Sequence, residues 1–119
     1  MRVLVVDDDP ITQCLISHIL LQWQVSTDIA TNGKIALEML SKDIYDVVLM
    51  DLIVPELDGC EVALAIRSLE KSYFRNLPIF AFSSCPDHEK IRKCEMNGLI
   101  PKSPIDIEEL YRKISPYLK

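Results

Sequence analysis

The sequence lacks several features that define other classes of protein. It contains no apolar run approaching the roughly 20 residues that a transmembrane helix needs. It has two histidines, and none of its four cysteines stands in a C-x-x-C pair, which argues against a zinc site. Lys and Arg number 13 against 18 Asp and Glu, giving a net charge of -5. Because phosphate backbones are bound by basic surfaces, neither nucleic acid nor a membrane is expected as a direct partner.

The cysteines are interpreted as free thiols, because no spacing among them indicates a metal site or a redox motif. They are Cys14, Cys60, Cys85 and Cys94. Cys14 and Cys60 fall within helical patterns and are expected to pack against neighbours. Strand-like residues begin at the third position, which leaves no room for a signal peptide. A reducing cytoplasm is therefore the predicted location.

The length and composition predict one folded domain covering residues 1–119. A chain of 119 residues is long enough for a core and too short for two domains. Hydrophobic residues make up 49% of it, which argues against disorder.

Apolar runs alternate with helical patterns five times along the chain. The predicted strands are 2–6, 26–30, 45–51, 77–84 and 98–102, and helical patterns follow at 10–20, 34–40, 60–70, 86–96 and 106–114. Such alternation with short connections predicts an α/β fold, a doubly wound parallel five-stranded sheet with helices on both faces. In these sheets the ligand lies outside the carboxyl ends of the strands.

Residues suited to holding a phosphoryl group stand at those predicted strand ends. Asp7 and Asp8 follow the first strand and Asp51 ends the third. Carboxylates from two strands, with a backbone carbonyl nearby, suit a hard cation such as Mg2+. Ser83 and Lys102 end the fourth and fifth strands, and a hydroxyl and an ammonium can both bind phosphoryl oxygens. Together they predict a phosphoryl site whose charge Mg2+ neutralises.

Two further aspartates and two apolar residues have simpler interpretations. Asp9 and Asp58 are each expected to cap a helix or form a turn. Ile11 and Leu15 lie on the first predicted helix, where they either join the core or form an apolar docking surface. The sequence leaves those two possibilities open.

Four stretches of the chain resemble the receiver domain of two-component response regulators. They are "VLVVDDDP", "DVVLMDLIVPELDG", "LPIFAFSS" and the lysine of "IPKSP". The similarity spans nearly the whole chain and is greatest to receivers of hybrid sensor kinases and phosphorelays. It implies a flavodoxin-like (βα)5 fold.

The resemblance also implies a role for each site residue. Asp51 would be the phosphoacceptor, attacking a phosphohistidine to form an acyl phosphate. Ser83 would turn toward the phosphoryl group, and Lys102 would pair with a phosphoryl oxygen. The Mg2+ ion would be held by Asp8, Asp51, the backbone carbonyl of Ile53 and, through a bound water, Asp7.

The partner implied by the resemblance is a histidine kinase or a histidine phosphotransfer protein. The domain itself would be a monomer or a weak homodimer. It would catalyse only its own phosphorylation and dephosphorylation, and is not expected to be an enzyme in any other sense.

The sequence departs from the family pattern in several places. In the family a proline usually follows this lysine directly, whereas here Ser103 lies between Lys102 and the proline. The insertion is expected to affect the direction in which the Lys102 side chain points. Leu99 stands where an aromatic switch residue is common, so switching is expected to rely on Ser83 and loop movement. The segment between Ser83 and Lys102 is short, which predicts a short fourth helix. Gln24 replaces a glycine expected near the end of the first helix.

Two other functions compete with a working receiver. One is a degenerate receiver that binds proteins without being phosphorylated. The other is a small Mg2+-dependent phosphatase of the haloacid dehalogenase type. Such a phosphatase needs a second aspartate two residues after its nucleophile, and position 53 is isoleucine.

Overall fold

The computed structural model describes residues 2–53, 58–84, 87–102 and 104–118. The strands are β1 (Arg2–Val6), β2 (Ser26–Ala30), β3 (Val47–Met50), β4 (Ile79–Ser83) and β5 (Gly98–Pro101). They form one sheet in the order β2-β1-β3-β4-β5, and every neighbouring pair is parallel. The predicted fold class is confirmed.

Six helices surround the sheet in the described residues. They are α1 (Pro10–Gln22), α2 (Gly33–Lys42), α3 (Gly59–Arg67), α4 (Ser72–Asn76), α5 (His88–Lys93) and α6 (Ile107–Ile114), followed by a 3-10 turn at Ser115–Tyr117. The helix between β4 and β5 has 6 residues, which confirms the prediction of a short helix there. None of the described helices has the length and apolar character to cross a membrane.

The helices bury two separate hydrophobic cores, one on each face of the sheet. Leu4 and Val6 of β1 point into the core under α2, α3 and α5, whereas Val3 and Val5 point into the core under α1 and α6. Both faces of β1 are covered, which is why the strand is continuously apolar rather than alternating. Strand order reverses beside β1, so a crevice opens between the carboxyl ends of β1 and β3.

Aspartate side chains cap the helices that begin near this crevice. Asp9 caps α1 by accepting a hydrogen bond from the Ile11 amide at 3.2 Å. Asp58 caps α3 by accepting from the Glu61 amide at 2.9 Å. These bonds satisfy amides that have no partner within the helix. The capping roles predicted for Asp9 and Asp58 are confirmed.

The burial pattern of α1 decides between the two interpretations left open for Ile11 and Leu15. Its buried residues are Thr12, Ile16 and Leu20, whereas Ile11 is 71% and Leu15 52% exposed. Cys14 is also exposed, so the expectation that it packs in the core is wrong. Ile11 and Leu15 therefore do not join the core, and Thr12, a polar residue, takes a buried position instead.

The expectation of free thiols is wrong for two cysteines. Cys60 and Cys94 form a disulfide with a Cα–Cα distance of 5.1 Å. The pairing arises because the start of α3 and the end of α5 lie side by side on one face of the sheet. Cysteines 34 positions apart give no local signal of this contact. Cys14 remains free, and Cys85 lies outside the described residues.

Gln24 ends α1 in the backbone conformation that glycine favours. Its φ is 59°, and the amides of Gln24 and Val25 donate to the carbonyls of Leu21 and Leu20 at 2.9 and 3.0 Å. This pair of bonds is the Schellman pattern, in which glycine is usual at the left-handed position. The position where the sequence analysis expected a glycine therefore has a glycine-like geometry.

Replacing Gln24 by glycine is expected to stabilise the fold by about 0.5–1 kcal/mol, because a side chain disfavours the left-handed conformation. Denaturant unfolding measures the change. Gln24→Ala is the control, since it shortens the side chain but keeps the Cβ atom. Equal stabilisation by both variants would show that the backbone conformation is not the cause.

Candidate functional site

The main-chain ladders of the sheet continue one residue past β1 and β3 and fix two aspartates. The amide of Asp7 donates to the carbonyl of Ala30 at 3.0 Å, and the amide of Asp51 donates to the carbonyl of Val6 at 2.9 Å. Both side chains therefore start from ordered backbone on either side of the crevice between β1 and β3.

Three carboxylates meet in this crevice. Asp7, Asp8 and Asp51 each offer an oxygen, and these oxygens lie within 4.8 Å of one another. Asp7 is 0% and Asp51 7% exposed, whereas Asp8 is exposed. Like charges at this separation repel strongly where water is excluded, so a cation is needed to offset them.

Lys102 supplies a cation between the two buried carboxylates. Its Nζ lies 2.8 Å from Asp7 Oδ2 and 2.7 Å from Asp51 Oδ2. Burial lowers the pKa of the Lys102 ammonium, but its hydrogen bonds to Asp51 and Asp7 outweigh burial, so the pKa is raised. A raised lysine pKa means that the ion pairs stabilise the fold through neutral pH and are lost only at strongly alkaline pH.

Backbone amides occupy the other oxygen of each buried carboxylate. Asp9 donates to Asp7 Oδ1 at 2.9 Å, and Ile53 donates to Asp51 Oδ1 at 3.1 Å. Both carboxylates are thus held at both oxygens. The Ile53 bond also brings that residue's main chain beside Asp51, while its side chain is 71% exposed.

Ser83 lies at the same edge of the sheet as the acidic cluster. It is the last residue of β4 and is 4% exposed. Met50 pairs with Ala81, so Asp51 and Ser83 both follow that pair toward the carboxyl end. Ser83 also pairs with Pro101, which directly precedes Lys102. The sheet thereby brings together the strand ends that carry the predicted site residues.

The oxygen donors fit a hard divalent cation. The carboxylates come from the loops after β1 and β3, and the carboxylate of Asp8 is exposed to solvent. This arrangement matches the preference of Mg2+ for oxygen ligands and for keeping several bound waters. Asp8 and Asp51 are the residues that would hold the ion directly. Asp7 and Asp51 each have a hydrogen-bond partner at both oxygens, so the contact of Asp7 with the ion through water stays a prediction. The use of the Ile53 carbonyl as a ligand stays a prediction.

Two supporting residues were missed by the sequence analysis. Gln13 Nε2 donates to the carbonyl of Asp7 at 2.7 Å and steadies the loop after β1. Gly59 packs against the main chain of Asp51 so closely that a Cβ atom would lie 2.3 Å from that carbonyl oxygen. Gly59 could have been noticed as a glycine at the start of a predicted helix. Nothing in the sequence indicates the role of Gln13.

Lys102 reaches the site despite the departure from the family pattern beside it. Ser103 lies outside the described residues. Lys102 forms an antiparallel bridge with Ile105, and its ammonium contacts both buried carboxylates. The inserted serine therefore does not turn the lysine away from the cluster.

A parallel α/β sheet with this acidic cluster and lysine at its switch point defines a phosphoryl-binding signalling domain rather than a dinucleotide-binding one. The chain belongs to the response regulator receiver domain family, whose family model matches residues 3–115. It is therefore a receiver domain of two-component signalling.

The relatives agree with this assignment. An uncharacterised 14.6 kDa protein of Leptolyngbya boryana is 32% identical, covering 98% of this chain and 89% of that protein. Hybrid signal transduction histidine kinase B of Dictyostelium discoideum is also 32% identical, over 92% of this chain. The chain spans only 6% of that kinase.

Solved structures show the same fold. The receiver domain of a sensor histidine kinase from Pseudomonas aeruginosa is 28% identical with a TM-score of 0.87, covering 98% of this chain and 95% of that one. It was solved with a magnesium ion coordinated in its active site cleft. The chemotaxis response regulator CheY4 of Vibrio cholerae is 27% identical with a TM-score of 0.86, covering 98% of both chains.

Proposed function

We propose that Asp51 accepts a phosphoryl group from a phosphohistidine and that the resulting acyl phosphate switches protein contacts. The observation that carries the proposal is the position of Lys102, whose ammonium contacts both Asp7 and Asp51. The exposed carboxylate of Asp8 lies beside them. In this proposal Asp51 is the nucleophile, Asp8 and Asp51 hold the metal ion, and the Lys102 ammonium is the cation that meets the phosphoryl group.

The chemistry is a single displacement at phosphorus. A carboxylate oxygen of Asp51 forms the new P–O bond as the P–N bond of the donor breaks, and the departing imidazole takes up a proton. Asp8 and Asp51 would hold Mg2+, which would neutralise charge on the phosphoryl oxygens when bound. The Ile53 amide bond to Oδ1 orients the attacking carboxylate.

Lys102 exchanges partners in this reaction. Phosphorylation removes the negative charge from the oxygen of Asp51 that forms the new bond. The ammonium is then free to pair with a phosphoryl oxygen, which carries the displaced charge. Ser83, at the neighbouring strand end, donates a hydrogen bond to the same group, and loop movement accompanies this change.

The phosphodonor is a histidine kinase or a histidine phosphotransfer protein, and the location is the cytoplasm. The relatives that support this donor class include hybrid histidine kinases. Ile11 and Leu15 are exposed on α1, next to the loop that carries Asp8, and they form the apolar docking surface for the donor. The domain acts as a monomer or weak homodimer, and its only catalysis is on its own phosphoryl group.

Intact mass after incubation with acetyl phosphate tests the proposal. A gain of one phosphoryl group that requires Mg2+ and is absent from Asp51→Asn is the expected result. Asp46→Asn is a matched control, because Asp46 lies at the opposite end of β3 and pairs with the Arg2 amide. Absence of any gain in the folded protein, with a phosphohistidine donor also failing, would indicate a degenerate receiver that acts by binding alone.

The acyl phosphate is expected to last for minutes rather than seconds. Ile53 is 71% exposed beside Asp51 and offers no hydrogen bond to an attacking water. Cys85, which flanks the site in the family pattern, lies outside the described residues. The measurement is the decay of phosphoprotein after removal of the donor. Ile53→Asn should shorten the lifetime, and a wild-type half-life of a few seconds would contradict the prediction.

A further inference from the structure

The disulfide between Cys60 and Cys94 joins the helices that follow two site strands. Cys60 is the second residue of α3, and its neighbour Gly59 packs on the main chain of Asp51. Cys94 caps the carboxyl end of α5, the first helix after Ser83. One covalent bond therefore links the loop of the phosphoacceptor to the helix beyond the serine.

In the part of the chain that the structure describes, few contacts besides the disulfide hold α5, the main one at its end being from Arg67 of α3, which donates to the Glu95 carbonyl at 3.0 Å. It has 6 residues, of which only Ile91 is buried within the helix itself. Lys90 pairs with Asp58 at the start of α3, but this ion pair is 3.6 Å long and partly exposed. Exposed pairs of this kind contribute little, and short helices with few buried contacts open readily. The disulfide is consequently a major restraint on α5.

The two sulfurs differ in their access to solvent. Cys94 is 0% exposed, whereas Cys60 is partly exposed at the protein surface. An external thiol or disulfide therefore reaches Cys60 first, and Cys94 is positioned to attack or leave second. This is the arrangement of a reactive cysteine beside a resolving one.

We propose that Cys60 and Cys94 form a reversible redox site for small thiols and disulfides of the glutathione type. In the disulfide state the bond fixes α5 to α3, and it therefore opposes any change in α5 that phosphorylation of Asp51 brings about through Ser83 at the preceding strand end. Only the second half of this proposal rests on the proposed function.

The exchange balances without a further reagent. The Cys60 thiolate attacks a sulfur of oxidised glutathione and releases one glutathione thiolate. The Cys94 thiolate then attacks the Cys60 sulfur of the mixed disulfide and releases the second. The two protons lost by the cysteines are taken up by the two released thiolates, and glutathione is reduced as the pair is oxidised.

The test begins with the redox site alone. The protein is equilibrated in glutathione buffers of varied ratio, free thiols are alkylated, and peptides are mapped by mass spectrometry. The expected result is a reversible Cys60–Cys94 disulfide in the wild type. The Cys14→Ser variant should form the same bond, because Cys14 is unpaired in the structure. Failure of the folded protein to form this bond in oxidised glutathione would overturn the proposal.

Hydrogen exchange then measures the effect on α5. Amides of residues 88–93 should exchange about tenfold faster in the reduced protein than in the oxidised one. Cys60→Ser should match the reduced protein under both conditions, which separates disulfide loss from other effects of reduction. Equal exchange in the two states of the wild type would overturn the restraint on α5.

Adding Mg2+ and beryllofluoride, a phosphoryl analogue, completes the experiment. Exchange of α5 should change in the reduced protein and stay constant in the oxidised one, and the same change in both would overturn the second half of the proposal. If acetyl phosphate modifies neither state, the proposed phosphoacceptor function is wrong. The second half of the redox proposal, which rests on that function, is then also wrong. The comparison without the analogue still decides whether the redox site exists.

Discussion

Replacement of Lys102 by methionine is expected to destabilise the protein by about 3 kcal/mol and to make its stability depend on Mg2+. Methionine keeps the length of the side chain but removes the ammonium that joins Asp7 and Asp51. Two buried carboxylates are then left without a cation. Removing one partner of a buried ion pair lowers the free energy of unfolding by several kcal/mol, because the remaining charge is uncompensated.

Magnesium should restore much of that loss. The ion supplies positive charge to the same crevice, so its stabilising effect must be larger where the ammonium is missing. Denaturant unfolding with and without Mg2+ measures both effects. Lys93→Met is the matched control, because Lys93 is 74% exposed and pairs with Glu89 on its own helix, away from the acidic cluster. Equal Mg2+ stabilisation of the two variants would contradict the account of the cluster.

Replacement of Gly59 by alanine is expected to lower stability by about 2–3 kcal/mol and to slow phosphorylation about 100-fold. The added Cβ would lie 2.3 Å from the carbonyl oxygen of Asp51 and 2.9 Å from the Cα of Leu52. These are main-chain atoms, so no flexible side chain can give way. The displacement therefore reaches the phosphoacceptor itself.

Gly98 provides the control for this effect. An added Cβ there meets the Phe80 ring at 3.4 Å, which is ordinary contact with a side chain. Gly98→Ala should leave the rate of phosphorylation by acetyl phosphate near that of wild type. Rates are compared at a temperature where unfolding curves show each variant folded. A Gly59→Ala protein that is destabilised but phosphorylated at the normal rate would show that the glycine supports only the fold.

The layers and topology of the fold were predictable, because strands covered on both faces of the sheet are continuously apolar and are easily recognised in the sequence. Residues 3–6 of β1 and all of β3 are unbroken apolar runs followed directly by aspartate, and alternation with helices indicates a parallel sheet. The site could be predicted for the same reason, since parallel strands deliver their ends to one edge. The predicted strands 45–51 and 77–84 were longer than β3 and β4, although main-chain hydrogen bonds of Asp51 and Pro78 extend the ladder by one residue beyond the strands.

Elements that depend on distant contacts could not be predicted. The helix α4 has 5 residues and no side-chain cap, and it is held by the Arg67 guanidinium, which donates to the carbonyls of Phe74 and Leu77 at 2.8 and 2.7 Å. The disulfide likewise depends on how α3 and α5 pack. The charge of Lys102 offsets the repulsion of aspartates as far as 95 positions away, whereas the sequence analysis had assigned this lysine only to a phosphoryl oxygen.

Chemical trapping of the acyl phosphate tests the central claim most directly. Borohydride reduces an aspartyl phosphate to homoserine, so the modified residue can be located by peptide mass spectrometry. After treatment with a phosphodonor and Mg2+, homoserine should appear at position 51 and should be absent when Mg2+ is withheld. Homoserine at position 8 or 7 instead, or none in a folded protein that has gained a phosphoryl group, would contradict the assignment of Asp51.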